Sequence, residues 1–219
     1  MWRRGAEIYL PTEANVIISG GTGDFATARL GASLARVGDF DGDSINDVAI
    51  GAPNATGGGA VVVFRGRATW PATLTPNTAE LVIRNTTPGV SFGITLAGVG
   101  RVLAGDTLED LAIGSGLSTT PSRTFVFAGR SLATPLALGS ADANFLRVGV
   151  VAGSAEAAPG STAAPAQSLV GGVGDVNGDG RGDIAIGTFG GTGAPGEVFL
   201  YLGLALGAFV LGLSIRLIP

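Results

Sequence analysis

The stretch Asp39-Phe40-Asp41-Gly42-Asp43-Ser44-Ile45-Asn46-Asp47 returns later in the chain as Asp175-Val176-Asn177-Gly178-Asp179-Gly180-Arg181-Gly182-Asp183. Each copy puts an oxygen-bearing side chain at loop positions one, three, five and nine. Each then runs into a short apolar segment, Val48-Ala49-Ile50-Gly51 or Ile184-Ala185-Ile186-Gly187. Alternate carboxylates around glycines can curl about one hard cation, because Ca2+ takes about six to eight oxygen ligands. The glycines permit tight curvature through backbone conformations that a Cβ resists. An EF-hand would need a glutamate at position twelve and helices on both flanks. Position twelve is Ile50 in one loop and Ile186 in the other, so that reading is rejected. Solvated turns are the plain alternative, since Asp and Gly are ordinary turn formers. Against it, like charges ~4 Å apart repel by ~1 kcal/mol even in water, and the first loop bunches four carboxylates. Two Ca2+ sites are therefore expected, with the first loop binding more tightly because it carries four carboxylates against three.

The loops belong to an internal repeat. Asp47, Asp110 and Asp183 are separated by 63 and 73 residues. A second landmark keeps step with them: Gly59-Ala60-Val61-Val62-Val63-Phe64-Arg65-Gly66, then Thr124-Phe125-Val126-Phe127-Ala128-Gly129, then Gly196-Glu197-Val198-Phe199-Leu200-Tyr201-Leu202-Gly203. A third precedes each unit, at Ala14-Asn15-Val16-Ile17-Ile18, Ala79-Glu80-Leu81-Val82-Ile83 and, more faintly, Ala143-Asn144-Phe145-Leu146. Each unit reads as four short strands: one before the loop (16–18 in the first unit), one entering it (32–37), one leaving it (48–51) and one closing the unit (60–64). The strand leaving the loop is apolar on both faces, as a strand buried from both sides is. Val61-Val62-Val63-Phe64 is β-branched and aromatic, which favours strand over helix, and no segment offers a capped amphipathic helix. The expected fold is all-β: propeller blades of four antiparallel strands, with repeats at 14–66, 79–129 and 141–203. Arg4-Gly5-Ala6-Glu7-Ile8-Tyr9-Leu10 reads as the closing strand of a preceding unit, which gives about three to three and a half blades, a partial or open propeller. The low-complexity run 153–168 is expected to be a surface loop.

The pattern resembles the FG-GAP repeats of integrin α-subunit β-propellers and their bacterial relatives, over roughly residues 5–203. The first repeat carries Leu30-Gly31 where that family has Phe-Gly, then the acidic loop, then Gly51-Ala52-Pro53. The second has Phe92-Gly93, a damaged loop and Gly114-Ser115-Gly116; the third has an intact loop and Gly187-Thr188-Phe189 but no Phe-Gly. The resemblance implies Ca2+ held by side chains at positions one, three, five and nine and by the carbonyl at seven. Carried over, the ligands are Asp39, Asp41, Asp43, the carbonyl of Ile45 and Asp47, and then Asp175, Asn177, Asp179, the carbonyl of Arg181 and Asp183. The middle loop, 101–110, has Arg101 in place of the first ligand and one residue inserted. With Asp106 and Asp110 retained, it is read as a degenerate, decayed turn; the alternative is that the Arg101 guanidinium replaces the metal by pairing with both. The resemblance further implies an extracellular or cell-surface binding or adhesion module meeting an unknown protein or glycan through its loops. That family closes its ring with seven blades, so the remaining blades are expected from a longer chain or another copy.

Composition narrows the chemistry. The chain has no His and no Cys, which removes the usual general base, the usual zinc ligand and every thiol reaction. Its thirteen basic residues are all arginine and form no patch, and the net charge is −4, so nucleic acid is not expected as a partner. Of the eleven aspartates, four lie in the first loop and three in the third. Two bound Ca2+ would bring the formal charge from −4 to −4 + 4 = 0. The six glutamates are scattered, and no enzymatic activity is expected. The alternatives are a structural or truncated repeat remnant, or the accessory propeller of a secreted or membrane-anchored hydrolase or lyase. Met1-Trp2-Arg3-Arg4 has a basic start but no apolar run behind it, and no signal peptide is read there. Residues 198–215 carry no charge. Membrane contact through that run is one reading; a closing strand followed by an apolar tail, 204–219, is the expected one.

Overall fold

Every residue of Ala60–Phe64 is buried, and the reason is the way its side chains alternate. Val61 and Val63 point into one apolar cluster with Val37, Ala49, Leu81, Ile83, Phe92, Leu111 and Ile113. Ala60, Val62 and Phe64 point into another with Phe25, Ile50, Ala52, Leu74 and Val82. A strand with a full core on each face is the middle of a layered β structure, and each such side chain contributes about 1.5–3 kcal/mol of transfer free energy. The computed structural model describes residues 14–85, 88–103, 107–116, 123–130, 136–137, 150–152, 169–188 and 197–203. The expected insertion at 153–168, the apolar tail 204–219 and Asp106 lie outside them.

In chain order the strands are β1 (Ile17–Ile18), β2 (Ser33–Gly38), β3 (Asp47–Ala52), β4 (Ala60–Phe64), β5 (Thr73–Leu74), β6 (Leu81–Arg84) and β7 (Thr95–Gly100). They continue as β8 (Asp110–Ser115), β9 (Arg123–Phe127), β10 (Leu136–Ala137), β11 (Val150–Ala152), β12 (Leu169–Gly174), β13 (Asp183–Thr188) and β14 (Glu197–Tyr201). The helical residues among those described are two short 3-10 turns, Gly23–Phe25 and Pro76–Thr78. Four sheets follow among the described residues: a two-stranded parallel pair, β1-β5; β2-β3-β4-β6 with β10 added parallel at its edge; β7-β8-β9-β11; and β12-β13-β14. The last three are called the first, second and third sheets. Each acidic loop joins the first two strands of its sheet, and those strands are antiparallel. The all-β blade architecture expected from the repeat is therefore what the chain forms.

Strands placed before the loops go elsewhere than the repeat suggested. Ile17–Ile18, read as the opening strand of the first unit, pairs parallel with Thr73–Leu74 and lies outside the sheet of that unit. Leu81–Arg84, read as the opening of the second unit, pairs antiparallel with β4, with Val61 opposite Ile83 and Val63 opposite Leu81. It completes the first sheet instead of starting the second. In the same way β11 pairs with β9 and completes the second sheet. Hydrophobic period marks a strand but not its partner, and here the partner lies across the repeat boundary.

The sheets stack through their first strands. A Cβ on Gly98 of β7 would lie 2.2 Å from the carbonyl oxygen of Arg36 in β2. One on Gly172 of β12 would lie 2.2 Å from the carbonyl oxygen of Gly98. Backbone therefore meets backbone at both interfaces, which only glycine permits at these positions. Outward from there, the first cluster fills the gap between sheets one and two. A third, with Val99, Val102, Ala112, Val126, Ile184 and Ile186, fills the gap between sheets two and three. The Phe92 ring is wedged into the first gap, edge-on to Phe125 and Phe127 at 5.5 and 6.2 Å between centroids. The glycine beside it is tied to the strand that leaves the loop: Gly93 N–H donates to the Gly114 carbonyl, as Gly31 N–H does to Gly51 in the first sheet.

Candidate functional site: the acidic loops

Each first strand ends in a bulge at a glycine, where the register slips between Arg36 and Gly38, Gly98 and Gly100, and Gly172 and Gly174. These glycines have φ of +70°, +68° and +75°, a left-handed turn that throws the chain out of the sheet and into the loop. Beyond the bulge the side chains fold back onto their own backbone. Asp39 accepts from the amides of Gly42 at 2.7 Å and Ser44 at 2.9 Å. Asp41 accepts from Asp43 N–H at 3.1 Å, and Asp43 from Ile45 N–H at 2.8 Å. The third loop repeats the net. Asp175 accepts from Gly178 and Gly180, both at 2.7 Å. Asn177 accepts from Asp179 N–H and Asp179 from Arg181 N–H, both at 3.0 Å. Positions one, three and five thus meet positions four and six, five, and seven in both loops, although the residues differ.

This net aims the side-chain oxygens inward. One carboxylate oxygen each from Asp39, Asp41 and Asp43 lies within 4.8 Å of the others. The donor set is all oxygen, which suits a hard divalent ion such as Ca2+. In the third loop the Asn177 amide donates to Asp179 at 2.9 Å, so the third- and fifth-position side chains are also adjacent. The Gly180 amide, with those of Gly178 and Asp179, holds the exposed Asp175 carboxyl below the usual carboxylate range. Ile45 and Arg181 occupy the seventh position and enter the net through their amides.

The ninth-position aspartates stand apart from this group. Asp47, Asp110 and Asp183 are at most 1% exposed. One oxygen of each accepts from the second loop residue, Phe40 at 3.1 Å, Val102 at 2.8 Å or Val176 at 2.8 Å. The other accepts from the glycine that follows the closing strand: Gly66 at 2.7 Å, Gly129 at 3.1 Å or Gly203 at 2.8 Å. Each is a clip between loop and sheet, and the clip survives in the middle loop. There Asp110 also accepts from Leu103 N–H at 2.8 Å. The alternative pairing of Arg101 with Asp110 is not made: backbone amides take the buried carboxylate, and Arg101 lies exposed. Backbone satisfies that turn, so the arginine is not needed as a metal substitute. Burial pushes the Asp47 carboxyl up to about 6, with the charges of Asp41 and Asp43 adding to it and the Gly66 and Phe40 amides opposing it.

A residue that the sequence reading passed over completes the first loop. Arg65 follows β4 directly, and its Nε donates to Asp41 Oδ2 and lies 3.7 Å from Asp43 Oδ2. Its own amide donates to Glu80 at 2.9 Å, and Glu80 also pairs with Arg67 at 2.6 Å. Burial works against the Arg65 charge, but the hydrogen bond and charge of Asp41, with Asp43 and Glu80 behind, hold the guanidinium above its ordinary value. The equivalent residues before Gly129 and Gly203 are Ala128 and Leu202. That contrast was visible in the aligned closing strands.

Stacked antiparallel sheets of three to five strands, with the loop between the first two strands rebuilt at each repeat, define a β-propeller segment. Residues 30–64 match the FG-GAP repeat family model. The chain is 33% identical to integrin alpha-E of Homo sapiens over 107 residues, covering 45% of this chain and 9% of the relative. It is 40% identical to integrin alpha-X and 41% identical to integrin alpha-M, both of Mus musculus, over 90 residues in each case. Those alignments cover 40% of this chain and 7% and 8% of the two relatives. The chain therefore spans less than a tenth of the length of these curated relatives. Over these residues the chain is similar to FG-GAP repeats and to integrin α-subunits. No helix among the described residues is long and apolar enough to cross a membrane.

Proposed function

We propose that the chain is a Ca2+-stabilised propeller segment that serves as a non-catalytic, extracellular binding or adhesion module. The observation that carries this reading is the convergence of Asp39, Asp41 and Asp43 oxygens within 4.8 Å of one another. Three carboxylates so placed repel in the ion-free chain, and a divalent ion converts that repulsion into attraction. Asp39, Asp41, Asp43 and the Ile45 carbonyl would hold one ion, with Asp47 contributing from the sheet. Asp175, Asn177, Asp179 and the Arg181 carbonyl would hold the other, with Asp183. When bound, the ion pins the loop, so its binding free energy becomes folding free energy. The integrin relatives support an adhesion setting at the cell surface, where a protein or glycan ligand would meet the loops of one propeller face.

The test is titration calorimetry with CaCl2 together with melting curves in EDTA and in Ca2+. Two binding events are expected. At ~100 times the dissociation constant, a single site adds about 2.7 kcal/mol to stability. Absence of heat together with melting curves unchanged by EDTA would sink the proposal.

A further inference from the structure

Loop one differs from loop three in an arginine paired with its ligand-position carboxylates; Arg181, inside loop three, makes no such ion pair among the described residues. We propose that Arg65 is a resident counter-charge that occupies the ion-free first loop and competes with the incoming divalent ion, making loop one the weaker of the two sites. The inference rests on the reading of both loops as Ca2+ sites, and it reverses the order expected from counting carboxylates. Asp41 is fully buried in its side chain, and its two oxygens are both engaged. Oδ1 accepts the Asp43 amide and Oδ2 accepts Arg65 Nε. The Asp43 carboxylate sits within 4.0 Å of the same guanidinium nitrogen, at 3.7 Å. Two of the three convergent carboxylates are thereby already neutralised in part.

The arginine is anchored at its base by the Glu80 carboxylate, which holds its backbone amide. The guanidinium stem remains a third exposed, so it can swing to solvent without unpacking the core. An entering Ca2+ must take Asp41 Oδ2 from it and then tolerate a positive charge nearby. In loop three the place of Arg65 is filled by Leu202, which cannot pair with the ligand carboxylates. What the arginine provides in return is a loop that stays folded when calcium is scarce. Loop one thus keeps its shape over a range of calcium concentrations, and loop three depends on the ion.

The experiment titrates CaCl2 into the full chain, with loop three silenced by Asp175→Asn and Asp179→Asn, and compares Arg65, Arg65→Met and Arg65→Lys. Arg65→Met is expected to raise loop-one affinity about ten-fold or more, because a unit charge a few ångströms away is removed. Arg65→Lys, which keeps the charge, is expected to stay near the parent. In EDTA, Arg65→Met is expected to melt lower than the parent, and saturating Ca2+ is expected to close that gap. A loop-one affinity unchanged or lowered in Arg65→Met, while intact loop three still binds, overturns the competition alone. Loss of binding in both loops of the parent overturns the calcium reading and this inference together. Should Arg65→Met fold poorly, the parent itself decides: with each loop silenced in turn, loop one must bind more weakly than loop three.

Discussion

At the residue scale, the ninth-position aspartates are the informative ones. Asp110 sits in a loop that has lost its other acids at the ligand positions, yet it is as buried as Asp183 and holds the same two contacts. Its recurrent geometry within the chain marks a structural duty. Asp110→Ala leaves the amides of Val102, Leu103 and Gly129 without their acceptor in the interior, and a loss of roughly 3 kcal/mol is expected. Urea unfolding should report the same loss in EDTA and in Ca2+. Ser44 makes the opposite case. It has φ of +69° where the third loop has Gly180, at +85°. A left-handed conformation costs a non-glycine residue about 1–2 kcal/mol, partly offset by the backbone entropy glycine loses. Ser44→Gly should therefore stabilise the chain by about 0.5–1 kcal/mol, read as a rise in the denaturation midpoint.

Asp24 supplies a pH dependence away from the loops. Its carboxylate accepts from Thr56 N–H at 2.7 Å and pairs with Arg84, whose guanidinium lies 4.9 Å from the centre of the Phe25 ring. Partial burial works against its charge, but Thr56 and Arg84 hold the carboxyl below its ordinary value. A depressed folded-state value means that the unfolded chain takes up the proton first. The stabilisation is therefore complete above about pH 5 and is lost as pH falls through the folded value. Asp24→Asn should flatten the acid limb of stability against pH, measured in EDTA, relative to the parent.

At the scale of elements, the alternation of apolar residues and the glycines around the acidic loops made the strands legible in the sequence itself. Val61-Val62-Val63-Phe64, β-branched and aromatic, reads as a strand, and it is one, buried on both faces. Two features were hidden for different physical reasons. Pairing of β6 with β4 depends on which edge is free when the strand arrives, and residue periodicity does not carry that information. The Arg65 contact depends on a side chain reaching from one loop-flanking strand into another segment 24 residues away. Gly98 was simply a glycine in a glycine-rich chain, though its Cβ position lies 2.2 Å from the Arg36 carbonyl and 3.0 Å from the Val37 Cα. Gly98→Ala must push two backbones apart. A loss of about 1–3 kcal/mol is expected, within the usual cost of overpacking, and guanidinium unfolding would measure it.

At the scale of the molecule, the loops form a connected rim as well as a row of separate sites. The amide of Glu109 donates to the carbonyl of Asp39 at 3.2 Å, and the amide of Gly182 donates to the carbonyl of Arg101, also at 3.2 Å. Arg130 N–H donates to the Phe40 carbonyl at 2.6 Å, from just beyond the closing strand of the next sheet. An ion that stiffens one loop therefore stiffens the backbone its neighbour rests on. This arrangement predicts that silencing loop three with Asp175→Asn and Asp179→Asn lowers the melting temperature measured in saturating Ca2+, and lowers it little or not at all in EDTA, where loop three holds no ion to lose.

The borrowed outer strand has an evolutionary and practical corollary. Because β6 lies beyond residue 66 and still seals the sheet that contains β4, the period of the gene and the period of the architecture are out of phase, like overlapping courses of brickwork. A protease that nicks the connection between residues 67 and 80 would leave both products clasped by a four-residue ladder and the cluster behind it. Excising one whole period would bring the next unit's outer strand into the same place, so such chains are expected to gain or lose blades in whole periods with the overlap preserved.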